Sequence, residues 1–217
     1  MKAILFGASG MVGQGVLREC LLDPEVETVL SIGRSRTGQQ HPKLREIVHR
    51  DIANLAPMED QLSGYDTCFF TLGVSSAGMS EAAYRSVTYD LTLSVANSVL
   101  NPGMTFLYVS GMGTDSTGGG RTMWARVKGQ TENALLGMPF KAAYMFRPGF
   151  IQPLHGIRSK TALYRILYVI LSPVAPLLLK LGPKYVTTTE VLGRAMIKAA
   201  RSGAPKNVLE SQDINAL

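Results

Sequence analysis

Short runs of apolar residues alternate along the chain with longer segments in which apolar positions recur every three or four residues. The short runs predict strands and the longer segments predict helices, because side chains alternate across a strand but return to one helix face after about 3.6 residues. The predicted strands are Ala3–Phe6, Thr28–Ile32, Glu46–Val48, Asp66–Leu72, Thr105–Val109 and Lys141–Phe146. The predicted helices are Met11–Leu22, Ser80–Leu100, Met123–Leu136 and Glu190–Ala200, with a short turn over Asn54–Asp60.

This alternation predicts an α/β fold, a Rossmann-type doubly wound parallel sheet with helices on both faces. A length of 217 residues favours a single domain. After Arg147-Pro148-Gly149 the alternation gives way to Pro, Leu and basic residues, so residues 150–182 are predicted to form a small helical substrate or lid region. Thr187-x-x-Glu190 predicts a capping box at the start of the last helix.

The chain is basic, with 22 Lys and Arg against 16 Asp and Glu and a net charge of +6, which favours an anionic partner. The basic residues are scattered and aromatic residues make up only 7%, so nucleic acid is not expected to be that partner. Cys20 and Cys68 lack the spacing of redox or zinc sites and are expected to be reduced and buried. The first apolar run is too short for a signal peptide, which favours a cytoplasmic location.

A glycine-rich turn directly follows the first predicted strand and opens the first predicted helix. In this context glycines permit a tight turn and a close approach of backbone N–H groups to a pyrophosphate, which the helix dipole also favours. The residues predicted to bind a dinucleotide here are Gly7, Ser9, Gly10, Met11, Val12 and Gly13. The alternative is a glycine-rich turn without a ligand.

Two arginines follow the second predicted strand, where an acidic residue would select NAD. Arg34 can form paired hydrogen bonds with a 2′-phosphate, and Arg36 can contribute a second guanidinium, so we expect NADP to be the cofactor. The alternative is a pair of solvated surface charges. After the third and fourth strands, Asp51 and Ile52 are predicted to meet the adenine, and Leu72 and Gly73 to pass beneath the cofactor.

The sequence resembles the atypical short-chain dehydrogenase/reductases, specifically the NAD(P)-binding epimerase-like group that includes Tat-interacting-protein-like oxidoreductases. The residues that carry this resemblance are Gly7–Gly13, Arg34, Asp51-Ile52, Thr71-Leu72-Gly73, Val109-Ser110, Val127-Lys128-Gly129, Arg147-Pro148-Gly149 and Thr188–Glu190. The resemblance implies an NADP-dependent oxidoreductase or epimerase-like enzyme with a small, apolar carbonyl substrate, and it assigns Lys128 and Pro148 to the cofactor as well.

The resemblance also implies three catalytic positions, and this chain departs from the family at two of them. Active members carry a Tyr four residues before the catalytic Lys, but Trp124 stands four residues before Lys128. An indole has no proton to relay near neutral pH. The family's serine aligns with Ser110 or with Gly111, depending on which serine is matched.

Two functions therefore remain open. Either Ser110, Lys128 and a water molecule carry out a different proton transfer beside Trp124, or the protein is a catalytically silent NADP-binding sensor or scaffold. Tyr84 and Tyr89 could supply a phenol from the long helix, although aromatic residues at apolar spacing are usually core. Asp115 and the following glycines predict a loop beside the site that is either a mobile surface loop or a substrate gate.

Other chemistries find no support in the sequence, which lacks a nucleophile elbow, a metal-binding cluster and a Walker motif. Residues 166–179 are uncharged and interrupted by prolines, and are too few for a transmembrane span. They are predicted to form a pocket wall or lid or a dimer face, with peripheral membrane contact as the alternative. We accordingly expect a monomer or a homodimer.

Overall fold

The structure is a computed structural model that describes residues 1–158, 182 and 184–217. The strands in this part of the chain are β1 (Lys2–Phe6), β2 (Thr28–Gly33), β3 (Leu44–Val48), β4 (Thr67–Phe70), β5 (Thr105–Val109), β6 (Ala142–Arg147), β7 (Phe150–Gln152), β8 (Val186–Thr188) and β9 (Val208–Glu210). Seven of them form a parallel sheet in the order β3-β2-β1-β4-β5-β6-β9, and β7 pairs with β8 in a separate parallel ribbon. The predicted α/β class and doubly wound parallel sheet are confirmed.

Helices cover both faces of the sheet. They are α1 (Met11–Leu22), α2 (Glu59–Leu62), α3 (Glu81–Arg85), α4 (Leu91–Val99), α5 (Met123–Leu136), α6 (Thr189–Ser202) and α7 (Ser211–Ala216). A 3₁₀ turn over Ala56–Met58 precedes α2, and a π-helical turn over Ser86–Asp90 joins α3 to α4, so the single long helix predicted from the sequence contains a π turn.

The first strand shows how the two faces arise from the sequence. Ala3 and Leu5 lie in one apolar cluster with α1 and α6, whereas Ile4 and Phe6 lie in the other with α4 and the end of α5. All four side chains are buried, because alternate positions of a central parallel strand point to opposite covered faces. This uninterrupted apolar run suits β1 to an interior position in the sheet, between β2 and β4.

Glycines let α1 and α6 approach each other closely on one face. A Cβ on Gly15 would lie 2.7 Å from the carbonyl oxygen of Thr189, and one on Gly193 would lie 2.9 Å from Cγ of Glu19. Arg194 donates a hydrogen bond to the buried Glu19 carboxylate at 3.0 Å across the same interface. This contact fixes the orientation of α1, whose first turn forms part of the candidate site.

The region predicted to be helical after residue 150 differs from the expectation where it is described. Phe150–Gln152 forms strand β7, which pairs with β8 from Phe150–Val186 to Gln152–Thr188. A Cβ on Gly149 would lie 2.3 Å from the Tyr185 carbonyl oxygen, so this glycine allows the two chain segments to meet. Strands of three residues give too short a pattern to be recognised in the sequence. The apolar segment 166–179 lies outside the described residues.

The capping residue of α6 also differs from the prediction. Thr188, not Thr187, is the N-cap, and its hydroxyl accepts a hydrogen bond from the Val191 amide at 3.0 Å. Thr187 lies in β8 instead, and its buried hydroxyl has no hydrogen-bond partner among the described residues. The N-cap therefore lies one residue later than the predicted capping box, and the helix begins at Thr189, one residue before the predicted Glu190.

Both cysteines are buried and free, as expected for reduced core residues. Burial raises the pKa of the Cys20 and Cys68 thiols far above the ordinary value, so neither is a thiolate at neutral pH. In the described ranges, no helix combines the length and apolar character needed to cross a membrane.

Candidate functional site

A cleft of about 470 Å³ opens at the carboxyl ends of the central strands. It lies where the strand order reverses between β1 and β4, which is where open α/β sheets bind their ligands. The residues that line it are Gly7, Ser9, Gly10, Met11, Val12, Arg34, Thr71, Leu72, Gly73, Val109, Ser110, Gly111, Lys128, Pro148, Gly149 and Ile151. The fold thus brings the glycine-rich turn, one arginine and the lysine to a single cavity.

The glycine-rich turn is held by backbone contacts that exclude larger residues. Gly7 has a φ of 89°, and the Gly10 amide donates a hydrogen bond to its carbonyl oxygen at 2.8 Å. A Cβ on Gly13 would lie 2.0 Å from that same oxygen. Gly13 therefore supports the turn from within α1 and does not line the cleft.

The start of α1 is available to an anion, and the turn before it is supported from the neighbouring strand. Gly10 is the N-cap of α1, and no side chain caps this end of the helix. The Thr71 hydroxyl supports the turn from the neighbouring strand end by donating to the carbonyl oxygen of Phe6 at 2.8 Å. The amide groups at a helix N-terminus that lacks a side-chain cap can bind phosphate oxygens.

The second predicted group of cofactor residues is only partly brought to the cleft. Arg34 is exposed at its edge and forms no hydrogen bond or ion pair with any described residue. Arg36 and Asp51 are exposed but do not line the cleft, and Ile52 is buried in the core. Contact of Arg36, Asp51 or Ile52 with a bound nucleotide stays a prediction.

The floor of the cleft beyond the turn is formed by the residues that follow β4. Leu72 and Gly73 both line the cavity, where the sequence placed them. A Cβ on Gly73 would have no neighbour within 4 Å, so the space above it is open. This part of the cleft has room for a planar group.

Lys128 lies at the opposite end of the cleft from Arg34. Its ammonium donates a hydrogen bond to the carbonyl oxygen of Ser110. Burial lowers the pKa of Lys128 to about 8, and the nearby Glu132 carboxylate opposes this change. The side chain therefore carries an exchangeable proton close to neutral pH.

The serine position differs from what an active family member would need. Ser110 is buried, and its hydroxyl donates to the Glu132 carboxylate, with the Phe146 carbonyl oxygen also within 3.2 Å. Gly111 faces the lysine, since a Cβ at this position would lie 3.9 Å from the Lys128 Nζ. Its φ of 127° is unfavourable for any residue with a side chain. The position opposite the ammonium therefore carries no hydroxyl.

Trp124 does not line the cleft. A Cβ on Gly113 would lie 3.3 Å from the Trp124 Cη2, so the ring packs on the turn that follows β5. Tyr84 is buried, and Tyr89 lies under the Arg85 guanidinium with 4.0 Å from Cζ to the ring centroid. Neither tyrosine lines the cleft, so neither replaces the missing phenol in this arrangement.

The loop after β5 is firmly attached to α5. The Asp115 carboxylate accepts hydrogen bonds from the Thr117 amide and hydroxyl and from the Gly120 amide, which lower its pKa below the ordinary value. The backbone of Asp115 lies against Gly129, where a Cβ would approach its carbonyl oxygen to 1.6 Å. Asn133 holds Ser116 by a further hydrogen bond. These contacts describe a loop attached to α5, and Asp115 and the following glycines are not among the residues that line the cleft.

Sequence reasoning missed two charged residues behind the site. Glu132 and Arg147 form a buried ion pair, and Glu132 accepts the hydroxyl of Ser110. Glu132 comes one helical turn after Lys128, which is the spacing that places two side chains on one helix face. That spacing was the available signal, but the periodicity of α5 gave no sign that its charged positions face inward.

The described residues fit a dinucleotide. The turn provides a cradle that Cβ atoms would fill, and Lys128 faces the far end of the cleft. Among the described residues, no side chain caps the start of α1 and none pairs with Arg34. In the described part of the chain, no group of three or more His, Cys, Asp or Glu side chains is arranged to hold a metal ion.

Comparison with known proteins places this cleft in a familiar fold. A short-chain dehydrogenase/reductase from Burkholderia thailandensis has a TM-score of 0.66 and 16% identity, covering 93% of this chain and 85% of that one. WbmF from Bordetella bronchiseptica, solved with NAD⁺ and UDP, has a TM-score of 0.65 and 15% identity over 99% and 75% of the two chains. Pal from Bacillus thuringiensis has a TM-score of 0.71 and 15% identity over 96% and 77%.

These structures share the fold of this chain over 93–99% of its length, and the resemblance inferred from the motifs is confirmed at the level of the Rossmann-type fold. No family model matches the chain. Among curated proteins, "Protein fmp52-2, mitochondrial" from Aspergillus oryzae is 28% identical over 98% of this chain and 94% of its own length. "Protein fmp52, mitochondrial" from Emericella nidulans is 29% identical over 68% of this chain and 65% of its own.

The relatives overturn one prediction made from the sequence. Both are named as mitochondrial proteins, so the expected cytoplasmic location is wrong. That expectation rested on the lack of a secretory signal in the first residues. The lack of such a signal does not distinguish the cytoplasm from other compartments inside the cell.

Proposed function

We propose that the protein is an NADP(H)-dependent oxidoreductase or epimerase-like enzyme that acts on a small, apolar carbonyl compound. The observation that carries this proposal is the cleft itself, which is lined at one end by the phosphate-binding turn and Arg34 and at the other by Lys128. A dinucleotide laid along this cleft would have its phosphates at the turn and its nicotinamide near the lysine.

Arg34 supports the choice of NADP over NAD. Its guanidinium is exposed at the edge of the cleft and has no partner among the described residues, and a 2′-phosphate would give it charge-assisted, paired hydrogen bonds. No carboxylate lines the described part of the cleft to accept a ribose 2′-hydroxyl.

Lys128 is the residue we propose as proton donor. An ammonium has three N–H groups, and Ser110 accepts one of them, which leaves two for a ribose hydroxyl and a substrate oxygen. A reduced nicotinamide supplies a hydride when bound. As a hydride reaches the carbonyl carbon, Lys128 would give its proton to the oxygen, and solvent would restore it. No Asp, Glu, His, Cys or Tyr side chain lines the described part of the cleft as a competing donor.

An apolar substrate is supported by the rim of the cleft. Met112 and Val74 are 44% and 49% exposed, and each adjoins a residue that lines the cavity. Tyr185 is 52% exposed, and its carbonyl oxygen lies against Gly149, another lining residue. Exposed apolar side chains beside the residues that line a cavity favour an apolar ligand.

The test is the oxidation of NADPH by purified protein with a panel of aliphatic and aromatic aldehydes and ketones. We expect substrate-dependent loss of absorbance with at least one apolar compound, and Lys128→Met is expected to abolish it. A flat trace with every compound, from protein that binds NADPH, would contradict the proposed enzyme activity.

A second candidate, a catalytically silent NADP-binding protein, is supported by Trp124. The indole stands where the resemblance implies a phenol and packs on Gly113 outside the cleft. Replacing Trp124→Tyr separates the two candidates. Turnover that appears only in the variant would favour the silent protein, whereas turnover by the wild type would exclude it.

A further inference from the structure

A cluster of buried polar side chains lies directly behind the Lys128 end of the cleft. Glu132 is 1% exposed, Ser110 is 4% exposed and Arg147 is 7% exposed. Charged groups are rarely buried this far unless they are paired, because removing them from water is costly. The charges of Glu132 and Arg147 must therefore be paired at this position.

Arg147 neutralises the Glu132 carboxylate through several hydrogen bonds. Its Nε lies 3.0 and 3.1 Å from the two carboxylate oxygens, and its Nη2 donates to Oε2 as well. Nη2 also donates to the Ser116 hydroxyl at 2.6 Å, and Nη1 reaches the Glu210 carboxylate at 3.4 Å. This geometry fixes the orientation of the Glu132 carboxylate.

Ser110 connects this ion pair to Lys128. Its hydroxyl donates to Glu132, its amide donates to the Phe146 carbonyl oxygen at 2.9 Å, and its own carbonyl oxygen accepts the Lys128 ammonium. Every polar group of this serine is thus engaged, and its position is determined from three directions. The hydroxyl donates its proton to a carboxylate behind the cleft, so that proton is not available to a ligand within the cleft.

We propose that Glu132 is a positioning residue for Lys128: its hydrogen bond holds Ser110 so that the serine carbonyl oxygen orients the ammonium, and its carboxylate is the acidic partner of the ammonium one helical turn along α5. On this account Ser110 carries no proton to substrate, and its backbone, not its hydroxyl, serves the site. The value of an oriented ammonium for catalysis rests on the proposed function, but its orientation and charge do not.

The electrostatics of the cluster agree with this role. Burial lowers the pKa of Lys128, and the Glu132 carboxylate raises it again. Glu132 and Lys128 are four residues apart on one face of α5, which brings the two charges close. Removing the carboxylate is therefore expected to lower the pKa of Lys128 further.

The test measures Lys128 in nucleotide-free protein by NMR, from the pH dependence of its side-chain signals in lysine-labelled samples. The signals are assigned by their loss in Lys128→Arg. We expect Glu132→Gln to move the titration midpoint to lower pH by about one unit, the size typical of losing an adjacent opposite charge. Glu81→Gln is the control. Glu81 lies on α3 and pairs with Arg126 of α5, the helix that carries Lys128, but its side chain is half exposed. An unchanged midpoint in Glu132→Gln would overturn the proposal.

Loss of the carboxylate alone leaves Arg147 buried without its partner, and the single variant could unfold. The double variant Glu132→Gln, Arg147→Gln removes both charges and is expected to show a lowered midpoint as well, by a smaller amount because the positive charge of Arg147 is also lost. Ser110→Ala keeps the carbonyl oxygen and the Glu132 charge, so its midpoint is expected to change much less. A change as large as that of Glu132→Gln would place the effect in the serine hydroxyl and overturn the assignment to Glu132.

The readout also separates this inference from the proposed function. A lowered midpoint in protein that shows no NADPH oxidation would support the positioning role and contradict the activity. NADPH oxidation with an unchanged midpoint in Glu132→Gln would support the activity and contradict the positioning role.

Discussion

The two ends of the cleft are built in different ways. The phosphate end is formed by one strand, one turn and the start of one helix, and its shape depends on backbone contacts among Gly7, Gly10 and Gly13. The Lys128 end is assembled from β5, α5 and β6 and depends on buried charges whose partners lie far apart in sequence, as with Ser110 and Glu132. Steric fit defines the first end, and electrostatic pairing defines the second.

This difference has a consequence for how each end tolerates change. A turn that depends on close packing fails when atoms are added, whereas a buried ion pair fails when one partner is removed. Substitutions at the two ends should therefore differ in whether they act on stability, on nucleotide binding or on both.

The largest expected effect lies at the Lys128 end. Replacing Arg147→Met leaves the Glu132 carboxylate buried without its ion-pair partner, which should reduce the free energy of unfolding by about 3–5 kcal/mol. Urea denaturation measures this loss. Arg126→Met is the control, because its ion pair with Glu81 is at the surface and should contribute under about 1 kcal/mol. Equal losses in the two variants would contradict the account of the buried cluster.

The corresponding change at the phosphate end is Gly13→Ala. The added methyl group would meet the Gly7 carbonyl oxygen, so the turn must shift. We expect a loss of about 1–3 kcal/mol in unfolding free energy together with loss of nucleotide binding. Gly33→Ala provides a control, since its Cβ would have ordinary contact at 3.7 Å from the Ser35 carbonyl oxygen. Unimpaired NADPH binding by Gly13→Ala would show that the turn does not define the phosphate site.

Arg34→Ala should affect binding without affecting stability, because the side chain is exposed and has no partner among the described residues. The loss of charge-assisted hydrogen bonds to a 2′-phosphate should weaken NADPH binding about ten- to a hundredfold and leave NADH binding unchanged. Fluorescence titration with each nucleotide measures this selectivity. Arg45→Ala removes another exposed arginine that does not line the cleft and should change neither affinity. An equal loss for both nucleotides in Arg34→Ala would contradict the role in selecting NADP.

The last expected effect, confined to alkaline pH, is a pH dependence of stability at the Lys128 end. Lys128 has a pKa of about 8 in the folded protein and an ordinary value of 10.5, so between these values the unfolded chain binds more protons. Stability should therefore rise with pH across this window, because the cost of burying the charged ammonium disappears as it deprotonates. Denaturation of wild type and Lys128→Met over this range isolates the effect. A wild type that gains no stability relative to the variant would contradict the lowered pKa.

The backbone of the phosphate end could be predicted from the sequence because its parts are contiguous. A strand, a glycine turn and a helix are predicted within 22 residues, and the structure has β1, the turn and α1 there. The contacts among Gly7, Gly10 and Gly13 were not predicted, and phosphate binding at this turn stays a prediction. The Lys128 end was predicted only in outline. Nothing in the pattern of α5 shows that Glu132 turns inward, since its partner Arg147 is contributed by another strand.

The short elements after β6 were missed for a similar reason. Strands β7, β8 and β9 have three residues each, too few for alternation to be distinguished from chance. They form because other segments are already in place: β9 pairs with the edge of the sheet at β6, and β7 pairs with β8. Tertiary contacts determine such strands more than local propensity does.

Isothermal titration of the purified protein with NADPH and NADH shows whether this cleft binds a pyridine dinucleotide with its phosphates at the glycine turn. We expect saturable binding of one NADPH per chain. This binding should be tighter than that of NADH and should be weakened by added salt, because phosphate contacts contribute to it. The absence of measurable binding with either nucleotide would contradict it.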